Sequence, residues 1–261
     1  MTIFHSIIYS KKEGVATIAL NRPNAANGLN TEMAEELALA AADISADSDI
    51  KAVILTASGR FFCAGGDIKA IAAFGDDVKA GIKHLADELH KALSLFARMD
   101  APLIVAVNGM AAGAGFSMAV CGDFILATES AKFTMAYSKA GLSPDGSSSY
   151  YLPRIVGLRR AQELMFTNRV LSAEEALDWG AITAVVSDEA LLVEADKMAQ
   201  MFVSGSRGAN SAIKKLLLQT WSDSLETQME LEGEIIAENA ESIDGREGVA
   251  AFLGKRQPEF E

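Results

Sequence analysis

The sequence has few cysteines, few histidines and no excess of positive charge, and each shortage excludes a class of protein. Its 261 residues contain two cysteines, Cys63 and Cys121, which are too few for a disulfide framework and favour a reducing cytoplasm. The three histidines and the cysteines lack the spacing of a metal site. Lys and Arg number 23 against 35 Asp and Glu, so the net charge of -12 argues against nucleic acid or an anionic membrane as partner.

Long apolar runs are also scarce. The charge-free run from Ala101 to Gly122 has the length of a membrane span, but Pro102, Asn108 and four glycines interrupt it. Asp100 and Asp123 close its two ends. The first residues, MTIFHSIIYSKKEG, alternate and reach charge quickly, so we expect neither a membrane span nor an export signal.

The same run has the pattern of a buried strand followed by a glycine-rich helix start. Leu103 to Val107 is β-branched and aliphatic, and Asn108 and Gly109 end it. Gly113 to Gly115 follow where the next helix is expected to begin. A helix start has backbone N–H groups without intrahelical partners and a partial positive charge, so this turn suits a developing oxyanion.

Small residues at a strand-to-helix turn also occur in three different kinds of structure. A dinucleotide-binding fingerprint is incomplete here, because Met118 stands where its third glycine belongs. Gly115 to Ala119 superficially resembles a hydrolase nucleophile elbow, but its last glycine is absent and all three histidines lie upstream. Close packing of a helix would alone account for the small residues.

A second strand runs into a second glycine turn. Ala52 to Ala57 is predicted to be a buried strand, and it leads into Ser58 to Asp67. The repeated order of strand, turn and helix predicts an α/β layer fold. The turns at Ala64 to Asp67 and Gly113 to Gly115 could direct two backbone N–H groups at one point and so form an oxyanion hole.

The remaining elements are predicted from periodicity and capping signals. Strands are expected at 3–10 and 14–20 as a hairpin, and at 124–127, 131–136 and 182–186. Helices are expected at 31–45, after Asp77, and at 146–152, 158–166, 172–180, 190–204 and 209–241. Asp145 could simply cap the helix at 146–152. His84 and His90 lie on the helix after Asp77, where a histidine is more often a surface residue than a catalyst; His5 receives no role.

Five segments, in order, resemble the signature segments of the crotonase family, also called the enoyl-CoA hydratase/isomerase family. They are Phe62–Asp67, Asn108–Gly115, Gly141–Asp145, Leu152–Gly157 and Glu247–Arg256. The resemblance covers nearly the whole chain. It implies an α/β fold built as a spiral of ββα units, with a core at 1–200 and a C-terminal helical region at 201–261 that mediates trimer formation.

The resemblance also implies an acyl-CoA thioester as substrate, with coenzyme A belonging to the substrate and no separate cofactor. Its carbonyl oxygen would be held by the backbone N–H groups of Gly66 and Ala114. Family members form trimers or dimers of trimers. By the same match, the positions that contact coenzyme A are Ala64, Asp67, Ile68, Phe252 and Lys255, the last two often from a neighbouring subunit.

Departures from the family pattern decide which reaction we expect. Family hydratases use two glutamates, and the matching positions here are Ser117 and Tyr137, neither of which is a general base at neutral pH. Asp145 matches the catalytic aspartate of isomerases similar to the phenylacetate-pathway enzyme. One carboxylate suffices for a 1,3-proton shift, so the expected reaction converts a 3-enoyl-CoA to a 2-enoyl-CoA.

Other functions remain open. A hydratase with a non-standard set of acids and bases is one of them. A second is a 4-chlorobenzoyl-CoA dehalogenase or thioester hydrolase, because the matching dehalogenase histidine and aspartate are present as His90 and Asp145. Against the dehalogenase, Tyr137 and Gly66 replace two of its aromatic residues. A third is an acyl-CoA binding protein without turnover.

Overall fold

The computed structural model describes residues 3–261, which fold into two sheets with helices on both sides. Ten strands lie in this part of the chain: β1 Ile7–Lys12, β2 Val15–Leu20, β3 Ala52–Ala57, β4 Phe61–Cys63, β5 Leu103–Val107, β6 Met110–Ala112, β7 Phe124–Thr128, β8 Lys132–Thr134, β9 Leu171–Ser172 and β10 Ala184–Val186. The α-helices in the same residues are α1 Thr31–Ser45, α2 Ile68–Ala72, α3 Val78–Arg98, α4 Ala114–Ala119, α5 Ser148–Ile155, α6 Leu158–Thr167, α7 Ala173–Asp178, α8 Leu191–Val203, α9 Arg207–Gln219, α10 Leu225–Glu241 and α11 Ile243–Gly254.

The larger sheet has the strand order β1-β2-β3-β5-β7-β10, and the smaller has the order β4-β6-β8-β9. Only the pairs β1–β2 and β8–β9 are antiparallel among the strands described in residues 3–261. Strands β3, β5 and β7 of the larger sheet each lead directly into β4, β6 and β8 of the smaller one. The chain thus passes repeatedly from one sheet to the other, which confirms the predicted α/β class.

The central strands β3, β5 and β7 of the larger sheet are buried on both faces, which explains their nearly continuous apolar sequences. Side chains alternate between the faces, so Val53 and Leu55 join the main core while Ala52 and Ile54 pack beneath α8. On the α8 side the core is completed by Phe202 and other apolar residues of that helix. The main core fills the space between the larger sheet, the smaller sheet and helices α1, α3 and α4.

The predicted N-terminal hairpin is present, but its first strand has different bounds. The sequence predicts it at 3–10, whereas β1 runs from Ile7 to Lys12 and turns at Glu13 and Gly14, both with positive φ. The backbone N–H groups of His5, Ser6 and Ile7 donate to the carboxylate of Glu36 on α1, at 2.7 to 3.0 Å. This carboxylate, distant in sequence, holds the backbone N–H groups of the first residue of β1 and of the two residues before it.

The single helix predicted at 209–241 is wrong, because two helices occupy these residues. Helix α9 ends at Gln219, and α10 begins after Ser224, whose side chain accepts a hydrogen bond from the Thr227 N–H. Helix α11, which the resemblance placed in a helical region but periodicity did not predict, begins after Ser242, whose side chain accepts from the Gly245 N–H. Apolar spacing continues across these breaks, so serine caps rather than periodicity set the ends.

Helix α9 attaches to the core through the ion pairs Lys214–Asp123 and Arg207–Asp100. The Lys214 ammonium on α9 lies 2.7 Å from the Asp123 carboxylate and donates to the Ala101 carbonyl oxygen at 3.1 Å. Several apolar side chains of α9–α11 remain exposed in this chain, namely Ile213, Leu217, Leu225, Met229, Ile236, Ile243, Val249, Phe252 and Leu253. None of the helices in residues 3–261 combines the length and the apolar character that a membrane span requires.

Candidate active site

Two glycine turns lie side by side, as the sequence predicted. Strands β4 and β6 are parallel neighbours, with Phe61 opposite Met110, so the turns that follow them meet at one edge of the smaller sheet. Gly65 has φ of 100°, and a Cβ atom there would lie 3.1 Å from the Ala112 carbonyl oxygen. The same atom would lie 3.7 Å from the Gly113 Cα atom, so the two backbones are in contact.

Gly66 and Ala114 present N–H groups that the protein itself does not use. Leu29 pairs with this turn by donating to the Gly65 carbonyl oxygen and accepting from the Asp67 N–H, which leaves the Gly66 N–H outside the bridge. Ala114 is the first residue of α4, so its N–H has no intrahelical acceptor. No hydrogen bond from either group to another residue occurs within 3–261. The two groups are available to an oxygen atom of a ligand.

Close packing of the helix against its neighbours is also present at these turns. A Cβ atom on Gly115 would lie 2.2 Å from the Cys63 carbonyl oxygen, and one on Gly109 would lie 2.1 Å from that of Arg60. Real Cβ atoms do not approach backbone oxygens so closely, so glycine is required at both positions. The packing and the free N–H groups are consequences of the same arrangement, since α4 begins directly against β4.

Arg22 supports the Gly66 turn, and no role was predicted for it from the sequence. Its guanidinium donates to the Asp67 carboxylate at 2.9 Å and also to the Gly28 carbonyl oxygen. Asp67 in turn caps α2 by accepting from the N–H groups of Lys69 and Ala70. Burial favours a higher pKa for Asp67, but the hydrogen bonds from Arg22 and the backbone outweigh it and lower that pKa.

Asp145 and His90 form the other side of the site. His90 Nε2 on α3 lies 2.8 Å from the Asp145 Oδ1 atom, and both side chains are partly exposed. The interpretation of Asp145 as a helix cap is wrong: α5 begins at Ser148, not at Gly146, and its cap position, Ser147, makes no side-chain capping bond. The Asp145 carboxylate is therefore not used to hold a helix.

Ser117 and Tyr137 lie directly behind Asp145. The Ser117 Oγ atom donates to the Asp145 carbonyl oxygen at 2.8 Å and lies 3.0 Å from the Tyr137 hydroxyl. Burial raises the pKa of Tyr137 well above its usual range, against the opposing effect of its hydrogen bond with Ser117. Tyr137 therefore remains a neutral hydroxyl at physiological pH and is no general base.

The glycine turns and the Asp145 side adjoin. A Cβ atom on Gly113 would lie 3.9 Å from the Tyr137 ring, and one on Gly146 would lie 3.0 Å from the Ser117 Cβ atom. The structure thus brings together six of the sequence-predicted residues, namely Gly66, Ala114, Ser117, Tyr137, Asp145 and His90. Ala64 and Ile68 flank the Gly66 turn, with Ile68 61% exposed at the start of α2.

Phe252 and Lys255, the other predicted contacts of coenzyme A, are at the end of α11. Phe252 is 84% exposed. Within residues 3–261 no hydrogen bond or ion pair links either residue to Ala64, Asp67 or Ile68. One chain therefore does not assemble these two groups of predicted contacts through polar interactions.

Neither cysteine is placed as a nucleophile. Cys63 and Cys121 are buried, and burial raises the pKa of each thiol to about 12. A thiol with such a pKa carries almost no thiolate at neutral pH. In the part of the chain that the structure describes, no three His, Cys, Asp or Glu side chains come together as metal ligands.

Comparisons with known proteins assign this arrangement to a family. The family described as enoyl-CoA hydratase/isomerase matches residues 10–261. The chain belongs to this family. It is 38% identical over 97% of both chains to the 1,2-epoxyphenylacetyl-CoA isomerase of Escherichia coli K12. It is also 30% identical to a 4-chlorobenzoyl coenzyme A dehalogenase of an Arthrobacter species, over 96% of this chain and 91% of the other.

Solved structures agree with the family assignment. The crystal structure of an enoyl-CoA hydratase from Mycobacterium smegmatis superposes with a TM-score of 0.91, at 31% identity and 98% coverage of both chains. The predicted crotonase-like fold with C-terminal helices is thereby confirmed. Isomerase, dehalogenase and hydratase names all occur among the matched proteins, so family membership does not select the reaction.

Proposed function

We propose that this protein acts on acyl-CoA thioesters and catalyses a 1,3-proton shift that converts a 3-enoyl-CoA to a 2-enoyl-CoA. The observation that carries the proposal is the Asp145 carboxylate, which is free of helix capping and belongs to a segment whose backbone contacts α4, the helix that follows the second glycine turn. The proposed proton shift requires a base, and the Asp145 carboxylate supplies one. The similarity to an acyl-CoA isomerase and to a trans-2-decenoyl-[acyl-carrier-protein] isomerase of Streptococcus mutans, 33% identical over 98% of both chains, supports it.

In the proposed reaction the thioester carbonyl oxygen accepts hydrogen bonds from the N–H groups of Gly66 and Ala114. The Asp145 carboxylate removes a proton from C2, and the electron pair moves onto the carbonyl oxygen to give an enolate. The two N–H groups stabilise that oxyanion, as backbone donors do in the oxyanion holes of acyl-transfer enzymes. Asp145 then returns its proton to C4 while the double bond forms between C2 and C3, so no atoms are gained or lost.

Hydration is less well supported. It requires one group to activate water and one to deliver a proton, and each such role is worth roughly 100- to 10,000-fold in rate. Ser117 is fully buried, and the raised pKa of Tyr137 keeps its hydroxyl neutral. These residues do not offer the second carboxylate that family hydratases use. A hydratase would have to work with Asp145 and His90 alone.

The deciding experiment is mass spectrometry of products formed from 3-enoyl-CoA and, separately, from 2-enoyl-CoA in deuterated water. We expect an isomerised 2-enoyl product without added water, which contains deuterium to the extent that the proton held by Asp145 exchanges with solvent before it returns to C4. Asp145→Asn should lower isomerase turnover by about 100- to 10,000-fold, because the base is lost. Asp196→Asn, which changes an exposed aspartate on α8, serves as the matched control and should leave turnover unchanged. Full activity of Asp145→Asn, or a hydrated product, would contradict the proposal.

A dehalogenase or thioester hydrolase is the second candidate, because His90 lies 2.8 Å from Asp145 and could activate water. Incubation with 4-chlorobenzoyl-CoA followed by a chloride assay tests this function. Chloride release that depends on both residues would support it. Tight binding of enoyl and aryl thioesters with no product from any of them would instead favour an acyl-CoA binding protein without turnover.

We propose further that the C-terminal region, residues 201–261, joins copies of the chain into a trimer or a dimer of trimers. The exposed apolar side chains of α9–α11 support this assembly. A neighbouring copy would then bring Phe252 and Lys255 to the coenzyme A. Arg256 is already paired with Glu247 at 2.7 Å, which leaves Lys255 as the basic group available for a phosphate.

Sedimentation velocity of the purified protein measures the assembly directly. The double variant Leu217→Glu/Ile236→Glu places charge on two side chains that are 64% and 70% exposed in the single chain. We expect it to sediment as a monomer and to bind coenzyme A thioesters more weakly. Leu192→Glu, at a 58% exposed position on α8, is the control. A wild-type monomer would disprove the proposed assembly.

A further inference from the structure

Three side-chain hydroxyl groups surround the backbone carbonyl oxygen of Asp145. Ser117 Oγ donates to it at 2.8 Å, Ser148 Oγ at 3.0 Å, and the Tyr137 hydroxyl lies 3.2 Å away. Ser117 and Ser148 are fully buried. The three groups come from α4, from the segment after β8 and from the start of α5. Elements separate in sequence thus meet at one oxygen atom.

The protons of this cluster can be assigned consistently. A carbonyl oxygen has two lone pairs, and each hydroxyl has one proton to donate. The Ser117 and Ser148 hydroxyls, which make the two shortest contacts, fill the two lone pairs of the Asp145 carbonyl oxygen, while the Ser148 backbone N–H makes a longer contact of 3.5 Å with it. The Tyr137 hydroxyl then donates to Ser117 Oγ, 3.0 Å away. Tyr137 thereby orients the Ser117 proton toward Asp145 and away from the Gly113 carbonyl oxygen, which lies 3.2 Å from Ser117 Oγ.

The backbone around Asp145 needs such support. Gly146 has φ of 62° and Ser147 has φ of 64°, so the two residues after Asp145 both have left-handed conformations. Such a conformation is unfavourable for serine and is retained only where the surroundings enforce it. The peptide that follows Asp145 contains the bonded carbonyl oxygen, so fixing that oxygen fixes the direction in which the Asp145 side chain leaves the backbone.

We propose that Ser117, Tyr137 and Ser148 are positioning residues that hold the Asp145 backbone so that its carboxylate stays beside His90 and faces the substrate. The effect on turnover rests on the proposed isomerase function. The effect on the geometry of the Asp145–His90 pair does not, because that pair is present without substrate. The two effects can therefore be tested separately.

The geometric test uses NMR spectra of the histidine rings in the complete protein. The chain has three histidines, so a His90→Gln variant assigns the His90 signals. In Ser117→Ala/Tyr137→Phe and, independently, in Ser148→Ala, we expect the His90 signals to move while those of His5 and His84 stay in place. Tyr151→Phe is the matched control, since Tyr151 is a partly buried tyrosine of α5 without a bond to Asp145.

The kinetic test measures kcat, KM and the pH profile of isomerase turnover in the same variants. Loss of one hydrogen bond corresponds to a change of about threefold to tenfold, so we expect kcat to fall by that factor for Ser148→Ala and further for the double variant. KM should stay within about twofold, and the acid limb of the pH profile should shift, because the Asp145–His90 pair is altered. A purely structural role would not move the pH profile of the enzyme that remains folded.

The outcomes separate this proposal from the proposed function. His90 signals that coincide with those of the wild type in both Ser148→Ala and the double variant would overturn the positioning role. If the double variant fails to fold, Tyr137→Phe alone, which preserves the ring, and Ser148→Ala give the answer. If Asp145→Asn retains full turnover, the isomerase proposal fails, while movement of the His90 signals would still support the positioning role.

Discussion

The turns at Gly66 and Ala114 are fixed by contacts between backbone atoms, whereas the segment at Asp145 is fixed by side-chain hydroxyl groups. In the glycine turns, Gly115 packs against the Cys63 carbonyl oxygen too closely for any side chain. Around Asp145, by contrast, the support comes from side-chain hydrogen bonds: Ser117 and Ser148 donate to its carbonyl oxygen, and Tyr137 donates to Ser117.

This difference indicates how the two sides respond to substitution. The N–H groups on the glycine side cannot be altered by changing a side chain, and the backbone at Gly109 and Gly115 cannot accept a Cβ atom. On the other side the groups can be exchanged one at a time without disturbing the turns. Substitutions should therefore reveal an all-or-none response at the glycine turns and a graded response at Asp145.

The largest expected effect is at Gly115. Gly115→Ala places a Cβ atom 2.2 Å from the Cys63 carbonyl oxygen, so α4 has to move away from β4. We expect a loss of about 3 kcal/mol or more in the free energy of unfolding, or failure to fold. Gly233→Ala on α10 is the matched control, because nothing lies within 4 Å of its new Cβ atom. It should stabilise the protein by about 0.5–1 kcal/mol. Urea unfolding of both variants measures the difference, and equal stability would contradict the close packing.

A smaller effect is expected from removing the support beneath Gly66. Arg22→Met leaves the Asp67 carboxylate, whose side chain is 14% exposed, without its partner, so we expect a loss of about 1–3 kcal/mol in unfolding free energy at pH 7. Arg246→Met, which removes an exposed arginine from α11, should change it little.

The same pair predicts how stability depends on pH. Because folding lowers the pKa of Asp67, the stabilisation that the Arg22–Asp67 pair provides is complete above pH 3.8, the ordinary pKa of aspartate. It is lost as the pH falls through the lower pKa that Asp67 has in the folded protein. The wild type should therefore lose more unfolding free energy than Arg22→Met when both are acidified below the pKa of Asp67 in the folded protein. Parallel acid unfolding curves for the two proteins would disprove a role for the Arg22–Asp67 pair.

The smallest expected effect concerns the thiols. Cys63, at the end of β4 beside the Gly66 turn, and Cys121 are both buried. Burial raises the pKa of each thiol to about 12. We expect no reaction of the native protein with a thiol reagent at pH 8, and two reactive thiols after denaturation in guanidinium. Rapid reaction of Cys63 in the native protein, assigned with a Cys121→Ala variant, would mean that the glycine turns open, which would remove the contrast between the two sides.

Much of the fold followed from local patterns in the sequence. The helix at Thr31–Ser45 and the strands at Ala52–Ala57 and Leu103–Val107 have the predicted bounds, because apolar periodicity and caps act within a few residues. The glycine turns were also predictable, since a backbone that must approach another backbone needs glycine at defined positions.

The sequence alone determined the α/β class, the two glycine turns, the carboxylate at Asp145 and, through the resemblance, the family. Tertiary structure decided what depends on contacts between distant residues. His90 meets Asp145 across 55 residues of sequence, and Arg22 meets Asp67 across 45. Periodicity places His90 on a helix but does not say which distant carboxylate it faces. Only the packing of α3 against the segment before α5 brings the two side chains together, because a contact of this kind is set by the fold rather than by neighbouring residues.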